Sequence, residues 1–176
     1  MKTTKMITKF SCQKILFIAL ILLSTSIYAQ KNTQFRDSTA ICKEVTSKYF
    51  NAYINLDFET MKSIMHDNIS FQDPTAKFVF EGIKVEGKIN VYENFKKSYS
   101  SIIEMKQETI RTIFSSNTGI FEVNFVWKFK NGPDQVITIN MPLIVILTVE
   151  NGKVIEHRDY GDYNYFIEQY NVQLKN

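Results

Sequence analysis

The sequence is short of the residues that break or staple a fold. Its 176 residues include three prolines, six glycines, two cysteines and two histidines. So little proline and glycine excludes long flexible linkers and low-complexity tracts. No internal repeat is present. Cys12 and Cys42 are too few for a disulfide framework. Cys42 falls early in a predicted helix with no facing His or Lys to activate it, so burial as a small apolar residue is expected. His66 and His157 lie far apart without a cysteine pair, which excludes a zinc site as the starting expectation. The spacing of Asp73, Asp159 and Asp162 does not resemble a calcium loop either. The expectation is a domain without metal or cofactor.

Long hydrophobic runs are also nearly absent. The one that stands out, Ile15 to Leu23, has nine residues, against the roughly 20 needed to cross a bilayer as a helix. Lys2, Lys5, Lys9 and Lys14 precede it, and Ser24 to Ala29 follow, polar and then small. This is the order of a secretory signal cleaved after Ala29. The expected product is exported, periplasmic or secreted, with no membrane anchor once the signal is gone. The absence of a cysteine just after the run argues against a lipid anchor. The leader also carries the excess of positive charge. The whole chain has 21 basic and 18 acidic residues, and four of the basic ones precede residue 30. Nothing in the remainder favours nucleic acid or an anionic membrane as a partner.

Aromatic residues are plentiful, with 14 Phe and 9 Tyr, and the chain after the leader has the length of one domain. Residues 30–37 are polar and are expected to be a flexible segment, with the folded domain spanning 38–176. Helical spacing of Ile41, Val45, Tyr49, Ala52, Tyr53 and Leu56 predicts a first helix. Asp57 can cap a second one, with Phe58, Met61, Ile64 and Met65 inward. Ile69 to Asp73 reads as a strand stopped by Pro74, and Phe78 to Lys84 as a strand or an irregular flap. A third helix follows Gly87, with Ile89, Tyr92, Phe95 and Tyr99 inward.

From Met105 the apolar period becomes two. Strands are expected at Met105–Ser115, Ile120–Lys130, Gln135–Val149 and Val154–Tyr160, separated by turn residues. Phe121, Val123, Phe125, Trp127 and Phe129 share one face. Met141 to Leu147 is apolar on both faces, so both are expected to be covered, by helices or by a second copy of the chain. A short helix from Asp162 to Leu174 closes the sequence. Helices followed by hairpin-linked strands give an α+β fold. The expected form is a strongly curved, mostly antiparallel sheet wrapped around the N-terminal helices, a cone-shaped, cystatin-like roll.

Several segments carry a resemblance. Tyr49 on a helix, then Leu56-Asp57-Phe58, Met65-His66-Asp67-Asn68 and Phe71-Gln72-Asp73-Pro74, resemble the opening of ketosteroid isomerase. Gly152-Lys153-Val154-Ile155-Glu156-His157-Arg158-Asp159-Tyr160-Gly161-Asp162 resembles the closing strand of SnoaL-like proteins and limonene epoxide hydrolases. Together they resemble the nuclear transport factor 2-like superfamily, over nearly all of the chain after the leader. That fold hosts isomerases, cyclases, hydrolases and non-enzymes.

The resemblance implies roles for four residues. Asp73 matches the aspartate that moves a proton beside a carbonyl, and Tyr49 matches the tyrosine that donates to the developing oxyanion. Asp159 matches an aspartate of the water-activating set in the epoxide hydrolases. His157 shares its face of the strand and is a partner for acid/base work. Each has a plainer alternative. Asp-Pro starts a turn, Tyr49 suits a core position, and Asp159 suits a salt link, for instance with Arg111. Trp127, Tyr53, Phe125 and Tyr92 are the expected lining of an apolar pocket for a small hydrophobic ligand. The sequence also departs from the resemblance. Counting from Pro142 places Ile144 where ketosteroid isomerase has a protonated aspartic acid, and Phe125 and Trp127 stand where the epoxide hydrolases have an Arg and an Asp. Three functions follow: a cofactor-free acid/base enzyme, a pocket that binds without reacting, or a homodimeric interaction domain.

Overall fold

Long stretches of alternating apolar and polar residues joined by short turns can only pair as antiparallel neighbours. The computed structural model describes residues 31, 33–80 and 83–175 and shows that pairing. The chain divides into two units, Met1–Ser38 and Thr39–Asn176. In the first, residues 33–38 are helical, although 33–37 fall in the segment expected to be flexible. Ser38 Oγ donates to the Phe35 carbonyl at 2.9 Å. The expected signal peptide, residues 1–29, lies outside the described residues. Among the described residues no helix is long and apolar enough to cross a membrane.

The second unit starts with helix α1, residues 39–54. It continues through α2 (Phe58–Ile64), β1 (Met65–Asp73), α3 (Lys77–Phe80), β2 (Ile83–Glu86) and α4 (Lys88–Ser98). Then come β3 (Ile102–Ser115), β4 (Thr118–Lys130), β5 (Val136–Glu150), β6 (Lys153–Gly161) and α5 (Tyr163–Leu174). The strands form one six-stranded sheet in the order β2-β1-β6-β5-β4-β3. Only β1 and β6 pair in parallel. Register shifts that leave extra residues in β1, β3 and β6 mark bulges, which bend a strand and increase its twist. They curve the sheet around α1.

Local chemistry fixes the joints. Leu56 takes the left-handed conformation, φ 56°, at the end of α1. There Asp57 N donates to Ala52 O at 2.9 Å and Leu56 N to Tyr53 O at 3.1 Å, the paired bonds of a Schellman stop. Asp57 then caps α2 by accepting from Thr60 N at 3.0 Å, and hydrogen bonding from Thr60, its hydroxyl first and then its backbone N–H, lowers the carboxyl below the usual range. Asp162 caps α5 in the same way, accepting from Tyr165 N at 3.1 Å. Asn151 and Gly152, both at positive φ, make the tight turn between β5 and β6, as a two-residue hairpin requires.

The core lies between α1 and the inner face of β4 and β5. Phe50 stacks on Phe121 with ring centroids 4.2 Å apart, and Ile137, Ile139, Met141, Val145 and Leu147 are fully closed to solvent. Each such side chain contributes about 1.5–3 kcal/mol by burial. α1 packs tightly on β4 at Gly119, where an added Cβ would lie 2.6 Å from Thr46 Oγ1.

Four expectations need correction. Ile41 and Ile89 are 51% and 58% exposed; Cys42 and Thr46 on α1 and Val91 on α4 point inward together with Tyr49, Tyr53, Tyr92 and Phe95, so the buried stripe at the start of each helix is displaced from the expected one. Phe78 to Lys84 contains helix α3 and the start of β2. β1 begins at Met65 rather than Ile69. β5 alternates between buried and open positions, and Ile144 is 40% exposed on its outer face. The apolar residues of that face are therefore not covered by helices.

Candidate functional site

Buried polar groups are the informative exceptions in an apolar core. Thr46, Asp73, His157 and Asp159 are the buried polar or charged residues of the described chain. Thr46 satisfies itself by donating to the Cys42 carbonyl at 2.7 Å. The other three lie on β1 and β6.

His157 and Asp159, two apart on β6, both face α1. His157 Nε2 and Asp159 Oδ1 are 2.9 Å apart. On its other side, His157 Nδ1 is 3.3 Å from the Tyr49 hydroxyl, which α1 supplies. The donor count assigns the tautomer. With the proton on Nε2, that N–H donates to Asp159 and Nδ1 accepts from Tyr49, so every hydrogen is used. The Tyr53 hydroxyl donates to Asp159 Oδ2 over 3.4 Å and lies 2.6 Å from the Tyr99 hydroxyl of the turn after α4. Asp159 thus collects two arms, one through His157 to Tyr49 and one through Tyr53 to Tyr99. Rings enclose the imidazole: Phe95 stacks on it at 5.4 Å, and Phe71, Tyr53 and Tyr49 meet it edge-on at 5.0, 5.2 and 5.6 Å.

The phenols are held in their donor form. Burial, and then the Asp159 carboxylate, push the Tyr49 and Tyr53 hydroxyls well above the usual value of 10.0. Tyr99 and Tyr163 are raised by burial first, with Asp159 and Asp73 adding to it.

Asp73 ends β1. Phe71 and Gln72 pair with His157 and Arg158, so the register, extended by one residue, sets Asp73 beside Asp159 on the neighbouring strand. Its Oδ1 accepts from Thr75 N at 3.0 Å, Thr75 Oγ1 at 2.6 Å and Ala76 N at 2.9 Å. Its Oδ2 accepts from the Tyr163 hydroxyl at 2.5 Å. One oxygen therefore does the work of an Asx turn, and the other faces the site through Tyr163, the first residue of α5. Arg111, an alternative partner for Asp159, pairs instead with Glu122 at 3.1 Å.

Of the expected lining, Tyr53 and Phe125 are fully buried and 5.9 Å apart, and Trp127 stacks on Phe125 at 5.8 Å. Tyr92 stands apart. Its hydroxyl bonds Glu59 and Lys96, and Lys62 lies over its ring at 4.1 Å, so it belongs to the contact between α2 and α4. Ile144 points outward, and the inward neighbours Leu143 and Val145 are apolar, so no acid stands at that point of β5. Tyr163 was not among the sequence-derived site residues. The signal available for it was its place one residue after a helix cap and four after Asp159. Among the described residues no group of three or more His, Cys, Asp or Glu is disposed to hold a metal ion.

A profile described as the SnoaL-like domain matches residues 46–157. Solved structures share the fold. A candidate SnoaL-like polyketide cyclase from Shewanella denitrificans OS-217 is 18% identical, with TM-score 0.68 over 76% of this chain and 98% of that one. One from Shewanella putrefaciens CN-32 is 20% identical, with TM-score 0.67 over 75% and 97%. An LEH-like epoxide hydrolase from M. tuberculosis is 15% identical, with TM-score 0.61 over 77% and 92%. No curated protein matches the chain in sequence.

Proposed function

Because this chain belongs to the SnoaL-like domain family, we propose that it is an exported member that binds a small hydrophobic molecule and performs acid/base chemistry on it without a cofactor. The observation that carries this reading is the hydrogen-bonded chain Tyr49–His157–Asp159–Tyr53, buried in a core of aromatic rings. Polar groups taken out of water cost free energy even when paired, and an apolar core of the same shape would serve stability alone.

The geometry supports the following roles. Asp159 is the carboxylate that takes a proton from carbon beside a carbonyl, with Asp73 next to it as a second acceptor once Tyr163 yields its bond. His157 holds Asp159 by one hydrogen bond from Nε2 and accepts another from Tyr49 at Nδ1. Tyr49 and Tyr53, kept protonated, turn their hydroxyl hydrogens from His157 Nδ1 and Asp159 Oδ2 to the ligand oxygen where negative charge builds up. The rings of Phe125 and Trp127 hold the apolar body of the ligand.

The test is proton exchange in deuterium oxide against a panel of small apolar ketones, enones and epoxides, with saturation-transfer NMR to read binding. The expected result is binding of at least one carbonyl compound and deuterium uptake beside its carbonyl. Asp159→Asn and His157→Gln should slow that uptake by about 10²–10⁴-fold, the usual worth of a positioned acid or base. Binding without uptake in the wild type would leave a non-catalytic pocket. No binding across the panel would sink the pocket itself.

A second reading rests on the outer face. Ile113, Ile120 and Ile146 stand side by side across β3, β4 and β5, with Ile144 next along β5. Such an apolar row, bordered by the Arg111–Glu122 ion pair, suits a two-fold contact with a second copy. Light scattering at micromolar concentration should give a dimer, and Ile144→Glu a monomer with unchanged circular dichroism. A wild-type monomer would remove this reading.

A further inference from the structure

We infer that helix α5 is a detachable cover, and that a ligand reaches the buried site by the route α5 occupies. This rests on the ligand-binding reading above. Tyr49, Tyr53 and His157 are completely closed to solvent, and Asp159 is 3% exposed. A ligand can meet them only if an element moves.

α5 is the element whose attachments are made by side chains. β6 pairs with β5 only from Leu143 onward, which leaves the backbone of residues 136–142 without a strand on that side. Two glutamines one helical turn apart fill the gap. Gln169 accepts from Asn140 N at 2.9 Å and donates to Asn140 O at 2.7 Å. Gln173 accepts from Thr138 N at 2.9 Å and donates to Thr138 O at 2.8 Å. Each carboxamide reproduces the donor and acceptor of a missing strand residue. Water can replace all four of these bonds when the helix lifts, so the two carboxamides add little to the cost of release.

The inner face of α5 leads to the site. Tyr163 bonds Asp73, and Phe166 lies 6.5 Å from Trp127 and stacks on Phe129 at 6.4 Å. Beneath it, the Trp127 indole N–H is buried without a hydrogen-bond partner. A buried donor left unpaired is an unusual cost in a native structure, and here it belongs to the ring that meets Phe166 of the cover edge-on. An apolar molecule bearing one acceptor oxygen, entering as α5 lifts, would satisfy it. Lifting α5 also withdraws Tyr163 and frees Asp73 Oδ2.

The experiment uses the full chain, the dye 8-anilinonaphthalene-1-sulfonate as the apolar probe, and amide exchange. In Gln169→Ala, Gln173→Ala, the Thr138 and Asn140 amides should lose protection ahead of Val145 and Leu147. Trp127, the only tryptophan, should become more open to acrylamide. Dye affinity should rise by about threefold or more, since apparent affinity follows the fraction of molecules in the open state. Asp57→Ala, which weakens the cap of α2, controls for general destabilisation and should leave dye affinity unchanged. Unchanged dye affinity in the glutamine variant, or an equal rise in the Asp57 control, overturns the cover and leaves ligand binding standing. Deprotected amides with no dye bound by any form overturn the ligand-binding reading and the cover with it.

Discussion

Asp159→Asn should unfold a few degrees above the wild type, and Asp159→Ala well below it. The carboxylate has one good hydrogen bond, 2.9 Å from His157 Nε2, and one long one, 3.4 Å from Tyr53. A buried anion held so lightly recovers little of its lost hydration. Asparagine keeps an oxygen for the His157 N–H and presents an amide to Tyr53, whose oxygen can accept while its hydrogen turns to Tyr99. The charge disappears and the bonds remain. The expected gain is about 1 kcal/mol, or roughly 2–4 °C in a domain of this size. Alanine also removes the charge, but it strands the His157 N–H and the Tyr53 hydroxyl in an apolar core and leaves a void. Each stranded donor costs about 1–3 kcal/mol, so the net loss should be about 3 kcal/mol. Thermal and urea unfolding of the two variants give the comparison. A clear fall in Asp159→Asn would make the carboxylate a structural partner and weaken the case for chemistry, because sites held ready for reaction are those that trade stability for function.

Gly119→Ala should cost about 1–3 kcal/mol, the usual range for overpacking. The new Cβ would sit 2.6, 3.1 and 3.2 Å from three atoms of Thr46. Thr46 cannot swing away. It is β-branched and so restricted at χ1, it is fully buried, and its hydroxyl is tied to Cys42 O. α1 must therefore shift from the sheet, and Tyr49, three residues on, must shift with it. Adding Thr46→Ala makes room. The double variant should recover about half or more of the loss, a coupling of about 1 kcal/mol between residues in contact. Additive losses in urea unfolding would show that α1 does not press on β4 there.

How much of this could be read in advance depended on the distance over which each interaction acts. The β3–β6 hairpins were legible because period-two patterning and turn residues are local signals. The caps at Asp57 and Asp162 were legible for the same reason. Helix faces were less so: Ile41 and Val45 fit a stripe with Tyr49, yet Cys42, Thr46 and Phe50 fit one too, and the approach at Gly119 decided between them. Ile144 shows the sharper failure. Counting along a strand by one residue exchanges its faces, so the position read as part of the site looks outward, between inward Leu143 and Val145. The pairing of β1 with β6 left no trace in periodicity, and only the resemblance brought Asp73 and Asp159 to one pocket. Tyr163 was hidden by its dual place as helix start and phenol donor.

The parallel pairing of β1 with β6 also sets an order of events. Tyr49 and His157 are separated by 108 residues, and only the docking of the N-terminal third onto the finished meander brings them together. Closing so long a loop costs only about 2 kcal/mol more than closing a ten-residue one, because the entropy grows with the logarithm of length. Time is the larger charge, since contacts so distant form late. The meander β3–β6 is continuous in sequence and can assemble from neighbours alone, whereas the site has no partial form. It comes into being in the same step that completes the sheet.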